Sequence, residues 1–263
     1  MNDRQTEQRM LQAAITLVQE RGLSTGLESI AFDEVIREAG VSRTSAYRRW
    51  PTRDRFYGDV LVELARGATL PAPEMSTALL DAQAVRAVES PQAHRDLVVE
   101  LLRVSIQADY AVASTSPQWR TYRLLLASYE GIADDEVRTA VAQALAQTER
   151  RALELRARVY AEFSALLGYR LVAPLAGPDG FEFMSRAAGA TMRGVLALIA
   201  LGDAGVSAPR AMHAFGASAV AEWSPAVYMV TAAVLSYIEP DPGVVWDQRR
   251  IEDLLTAIDA FRP

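Results

Sequence analysis

The chain has 263 residues, half of them apolar and under a quarter charged, which suits one or two domains with a buried core. It holds no cysteine and no lysine, which excludes disulfides, thiolate metal sites and mechanisms built on a P-loop or Schiff-base lysine. The net charge of −6 argues against a protein that coats nucleic acid, although all 27 basic side chains are arginine and they are unevenly spread.

The N-terminal decapeptide "MNDRQTEQRM" lacks the apolar core of a secretion signal. A first helix is expected over Thr6–Arg21, where Met10, Leu11, Ala14, Leu17 and Val18 recur at the spacing of one apolar face and Gly22 stops the run. The loop "GLSTGLES" then leads to a short helix over 32–39 that turns Phe32, Val35, Ile36 and Ala39 inward. Gly40 supplies a sharp reversal, and Ser42 is placed to cap a third helix that Pro51 ends. Thr52 caps a fourth helix, which runs to about Gly67.

A proline-rich joint, "ATLPAPEM", separates an N-terminal domain, 1–67, from a C-terminal one, 68–263. Helices are expected over 76–88, 92–112, 118–131, 134–167, 180–202, 209–223, 225–238 and 247–261, with no sustained alternation of the strand type. The fold class is therefore all-α. The longest apolar runs, "GVLALIALG" and "PAVYMVTAAVLSYI", fall short of the roughly 20 residues a bilayer span needs. A cytoplasmic protein with no membrane partner is expected.

The third helix carries the functional signal. Residues 41–55 hold Arg43, Arg48, Arg49, Arg53 and Arg55 against Asp54 alone. At about 100° per residue, Ala46 and Trp50 stack on one side with Val41, while Thr44, Ser45 and Arg48 point the opposite way. Such an outward face suits a DNA groove: a guanidinium matches guanine O6 and N7, hydroxyls bond to base edges, and the threonine methyl packs on thymine. Ser42, Arg43, Tyr47 and Arg53 lie where phosphates would be held. A solvated arginine face on an ordinary surface helix is the alternative, and the order helix, tight turn, helix, proline stop is what favours DNA.

"TEQRMLQAAITLVQERG" followed by "FDEVIREAGVSRTSAYRRWPTRDRFYGDVL" resembles the DNA-binding domain of tetracycline-repressor-like (TetR) regulators. The matching positions are Ala13, Ala14, Ala39, Gly40, Val41, Ser42, Tyr47 and Trp50, and the likeness covers residues 6 to about 65. Departures are Arg53 in place of a usual lysine, Ile36 in place of an alanine, Glu7 in place of a basic residue, and a longer loop after Gly22. The resemblance implies a helix-turn-helix domain followed by an all-helical domain that dimerises and holds a small effector. It implies a homodimeric, ligand-responsive transcriptional regulator, expected to be a repressor, on a double-stranded DNA operator, with no cofactor.

Within the C-terminal part, Ala190, Gly194 and Ala197 share one face of the 180–202 segment and let another helix approach closely, either across a dimer interface or inside one core. Aromatic residues with polar tips are the ligand-binding candidates: Trp119, Tyr122 and Arg123 on one helix, Tyr160 and Phe163 on another. For each of them plain core packing is the alternative. Catalysis has little support: His94 and His213 are the only histidines and sit in no metal-ligand or triad pattern, so neither catalytic residues nor metal ligands are assigned. The competing expectation is a helical ligand-binding or enzymatic protein whose N-terminal domain no longer binds DNA.

Overall fold

The computed structural model describes residues 3–21, 30–67 and 90–260. These are mostly helical, with four three-residue strands. The expected helix over 76–88 and the loop after Gly22 lie outside the described residues. Among the described residues, no helix is long and apolar enough to cross a membrane.

The chain divides into two compact units. The first takes the described residues up to Gly67 together with Thr115–Arg151, so it reaches beyond the N-terminal segment. It contains helices α1 (Asp3–Arg21), α2 (Phe32–Ala39), α3 (Arg43–Arg49) and α4 (Arg53–Arg66). Among the described residues, the second unit opens with α5 (Pro91–Thr115), which it holds up to Ser114. The first unit is completed by α6 (Pro117–Ser128) and by the part of α7 (Asp135–Leu166) up to Arg151.

The local chemistry of the first unit explains its turns. Gly40 adopts φ 62° and ψ 34°, a left-handed conformation that costs glycine nothing. Its N–H and that of Val41 bond back to Arg37 and Ile36, closing α2. The Ser42 hydroxyl accepts from the Ser45 amide at 3.2 Å and the Thr52 hydroxyl from the Arg55 amide at 3.4 Å, so both expected caps are formed.

The core of this unit gathers Met10, Ala14, Leu17 and Val18 of α1, Phe32, Val35 and Ile36 of α2, and Phe56, Val60 and Leu64 of α4. Tyr122 and Leu125 of α6 and Val141 and Leu145 of α7 join it. Phe56 is the hub, 5.0 Å from Trp50 and 4.9 Å from Phe32 between ring centres. Gly58 lets α7 close on α4, because a Cβ there would stand 2.7 Å from a Val137 methyl.

The second unit adds the remainder of α7, β1 (Tyr169–Leu171), α8 (Gly180–Ala200), β2 (Arg210–Met212), β3 (Ala221–Trp223), α9 (Pro225–Leu235), β4 (Ile238–Pro240) and α10 (Gln248–Ala260). Strands β1 and β4 pair antiparallel with Tyr169 opposite Pro240, and β2 and β3 pair with Arg210 opposite Trp223. Leu97, Val98, Met184, Trp223, Val227, Val230, Ile251 and Leu254 lie in its main core. Ser224 caps α9 and Pro225 opens it.

The helix expected over 209–223 does not form. Phe215 at φ 54° and Gly216 at φ 76° reverse the chain twice in succession, which no right-handed helix allows. The loop is instead strapped to α5: Gln92 donates to the Gly216 carbonyl, Arg95 to the Phe215 carbonyl, and the Ser218 amide donates to Asp96. The helix expected over 225–238 stops at Leu235, because Ile238–Pro240 are drawn into pairing with β1.

Candidate nucleic-acid interface

Helix α3 is rooted by three apolar side chains. Ala46 and Trp50 are fully buried and Val41 nearly so, and the indole N–H donates to an Asp59 carboxylate oxygen at 2.8 Å. Thr44 and Arg48 are exposed and Ser45 is half-buried, so the face opposite the root is free of the core. Tyr47 is 42% exposed and its ring meets Phe32 edge-on at 5.2 Å, which fixes the ring while leaving the hydroxyl outside. Arg53, at the start of α4, is exposed.

Two side chains are busy within the unit. Ser42 caps the helix and also donates to the Ser45 hydroxyl at 2.9 Å, so one hydroxyl orients the other. Arg49 lies over the Trp50 ring at 5.0 Å and pairs with Glu7 at 3.0 Å and Asp59 at 3.6 Å. The hydrogen bond to Glu7, working against partial burial, raises its pKa above the ordinary guanidinium value. Glu7 thus ties α1 to α3.

The outward arginines have acidic neighbours that the sequence did not reveal. Arg48 pairs with Asp3, and Arg43 with Asp33 at 3.6 Å. Both pairs are well exposed, and such pairs are worth about 0–1 kcal/mol, so they hold these arginines only weakly. At the other end of α1, Arg21 donates to both Glu34 oxygens at 2.6 and 2.9 Å. That bond lowers the Glu34 pKa and fixes α2 against α1.

The five ligand-binding candidates do not meet within either unit. Trp119, Tyr122 and Arg123 belong to the first, where Tyr122 is a core residue whose hydroxyl donates to Glu149 at 2.9 Å. Trp119 stands edge-on to it at 5.8 Å. Arg123 is half-buried, and desolvation first, then Arg120, lowers its pKa. Tyr160 and Phe163 belong to the second unit, against its main core. A hollow of about 840 Å³ beside α1 mixes charged Arg4, Glu7 and Glu38 with Leu11 and Ile15 and includes none of the five.

Ala190, Gly194 and Ala197 are exposed, and nothing lies within 4 Å of a Cβ built at Gly194. On the same helix, Phe183 and Leu198 are 55% and 42% exposed, Leu201 just past its end is 83% exposed, and on α9 Tyr228 and Met229 are 37% exposed. His94 is half-buried in a stack on Trp246 at 4.4 Å with Nε2 2.9 Å from the Leu167 carbonyl, and this partial burial lowers its pKa. His213 is exposed. Among the described residues, no group of three or more His, Asp or Glu side chains is arranged to hold a metal.

Sequence reasoning missed Asp109 and Arg156, which stand near Tyr160 in the second unit. The signal was present in α5: Asp109 falls on the face that buries Ile106 and Ala113, where an acid is out of place.

Compared with family models, with curated proteins and with solved structures, the chain finds no significant match.

Proposed function

We propose that the protein is a ligand-responsive transcriptional regulator of the tetracycline-repressor type, acting as a homodimer that represses from a near-palindromic operator. The observation that carries this is the orientation of α3: Val41, Ala46 and Trp50 root it, and Thr44 and Arg48 stand outward in solvent. In this reading α2, the Gly40 turn and α3 act as a helix-turn-helix. Thr44, Ser45 and Arg48 contact base edges in the major groove, while Ser42, Arg43, Tyr47 and Arg53 hold phosphates and set register.

The exposed apolar face of α8, from Phe183 through Ala190, Gly194 and Ala197 to Leu201, supports a second copy as partner. Small residues at its centre permit close helix approach, and Tyr228 and Met229 of α9 extend it. A two-fold dimer places two reading helices about 34–36 Å apart, one helical turn of DNA. An effector that binds better to a conformation with another spacing releases the operator, and only that difference in affinity drives the change.

The second reading, a helical ligand-binding or enzymatic protein that does not bind DNA, draws support from Asp3, Glu7 and Asp33, which pair with arginines of α3. A mobility-shift assay with the DNA flanking the protein's own gene separates the two. Regulation predicts a salt-sensitive shift with a discrete footprint. Absence of any preference for that DNA over unrelated duplex refutes it.

A further inference from the structure

We propose that a site for a small cationic ligand with an aromatic or apolar body lies among α5, α7 and α8, with Asp109 receiving the charged nitrogen and Tyr160 forming a hydrogen-bonding wall. This rests on the ligand-binding limb of the proposed function and is independent of its DNA-binding limb.

Asp109 sits on the inward face of α5, three residues after Ile106 and four before Ala113, both buried. A carboxylate in such a place needs a partner, or its desolvation goes uncompensated. Among the described residues no hydrogen bond reaches it, and Arg156 acts on it only through space. Arg156 is seated elsewhere: its Nε donates to the Ser185 hydroxyl at 3.3 Å, which donates in turn to the Leu153 carbonyl at 3.1 Å. Gly189 makes room for the guanidinium, since a Cβ there would lie 2.8 Å from its terminal nitrogen.

Tyr160 repeats the pattern. No hydrogen bond to its hydroxyl exists among the described residues, and it lies within electrostatic reach of both Asp109 and Arg156. Phe163 follows three residues later on α7 and, like Met192 of α8, packs against the main apolar core. Asp109, Tyr160 and Phe163 are each half-buried, so none is sealed off from solvent. Burial lifts the Asp109 carboxyl to about 6 and the Tyr160 hydroxyl to about 12. At neutral pH the site therefore presents a poorly solvated anion, a neutral phenol and an aromatic wall. A cationic nitrogen supplies the missing partner of Asp109, a neutral ligand leaves the carboxylate unpaired, and an anionic ligand is repelled by it.

The test is calorimetry of the full chain without DNA at pH 7.5, using 4-phenylbutylamine, 4-phenylbutanol and 4-phenylbutyrate, which share a body and differ in charge. The amine binds tightest, by about tenfold or more over the alcohol, and the acid binds weakest. Asp109→Asn brings the amine down to the alcohol's affinity while the alcohol is unaffected. Lowering the pH from 7.5 to 5 weakens amine binding as Asp109 takes up a proton. Of the charged and titratable groups that act on it, Arg156 and Tyr160, the phenol stays neutral over that range, its pKa being pushed up to about 12. Equal affinity for the three compounds, no binding of the amine at millimolar concentration, or amine binding indifferent to Asp109→Asn overturns the proposal. The matched compounds test it on the unaltered protein even where the variant folds poorly. Failure of the mobility-shift assay leaves these outcomes untouched, so the two failures are distinguishable.

Discussion

Trp50→Ala is the perturbation whose cost is best fixed by structure. The indole is fully buried, meets Phe56 edge-on at 5.0 Å, carries Arg49 at 5.0 Å above its face and donates to Asp59 at 2.8 Å. Removing such a ring from a packed core costs about 3–5 kcal/mol. The lost hydrogen bond adds little, since the Asp59 side chain is 39% exposed and turns to water. Trp50→Phe keeps most of the ring contact with Phe56, forfeits the N–H, and is expected to cost about 1–2 kcal/mol. Urea unfolding followed by far-ultraviolet circular dichroism measures both. The same α3 root that stabilises the unit also aims Arg48, so under the proposed function the alanine variant loses the proposed DNA binding where the phenylalanine variant keeps it. A loss below about 1 kcal/mol for the alanine, or equal losses for both variants, refutes the placement of Trp50 as the anchor of α3.

Three further outcomes are expected. Asp3→Asn frees Arg48 from its ion pair and raises affinity for DNA about two- to fivefold at low salt, an advantage that shrinks as salt rises; unchanged or weaker binding on titration contradicts it. Asp109→Asn stabilises the protein at pH 7.5 and has no such effect near pH 4. The folded-state carboxyl titrates at about 6 and the unfolded one near 3.9, so stability falls as pH rises through that window and stays lower above it. Thermal unfolding across pH reads this directly, and a pH-independent effect contradicts it. Leu201→Arg, at an 83% exposed position, leaves the melting temperature of the monomer unchanged but breaks the dimer in analytical ultracentrifugation; an unaltered sedimentation coefficient removes α8 from the interface.

The first four helices were legible because local chemistry and burial agree there. Met10, Ala14, Leu17 and Val18 fall on one helical face, Gly40 is the residue a left-handed turn favours, and Ser42 and Thr52 are the caps their positions suggest. The region after α8 was not. Its apolar residues fit a helical spacing, and the positive φ of Phe215 and Gly216 arises from straps to Gln92, Arg95 and Asp96, more than a hundred residues earlier in the chain. Long-range hydrogen bonds of this kind leave no local signature. The same holds for the acids that pair with the α3 arginines: Asp3 and Glu7 are brought there by the crossing of α1, which spacing alone does not specify. Of the ligand candidates, Tyr122 is a core residue, which aromatic character could not distinguish from a pocket wall. Tyr160 has a hydroxyl with no hydrogen bond among the described residues, close to the half-buried Asp109, which was missed although an acid on an apolar face is a legible signal.

The central claim is that α3 offers its Thr44 and Arg48 side to a duplex. Its most direct test is quantitative binding of Arg48→Ala to a panel of operators varied one base pair at a time, at fixed salt. The account predicts a loss of about 1–3 kcal/mol on the preferred operator and a relaxed preference at one base pair in each half-site. Undiminished affinity, or the same loss on every sequence, contradicts it.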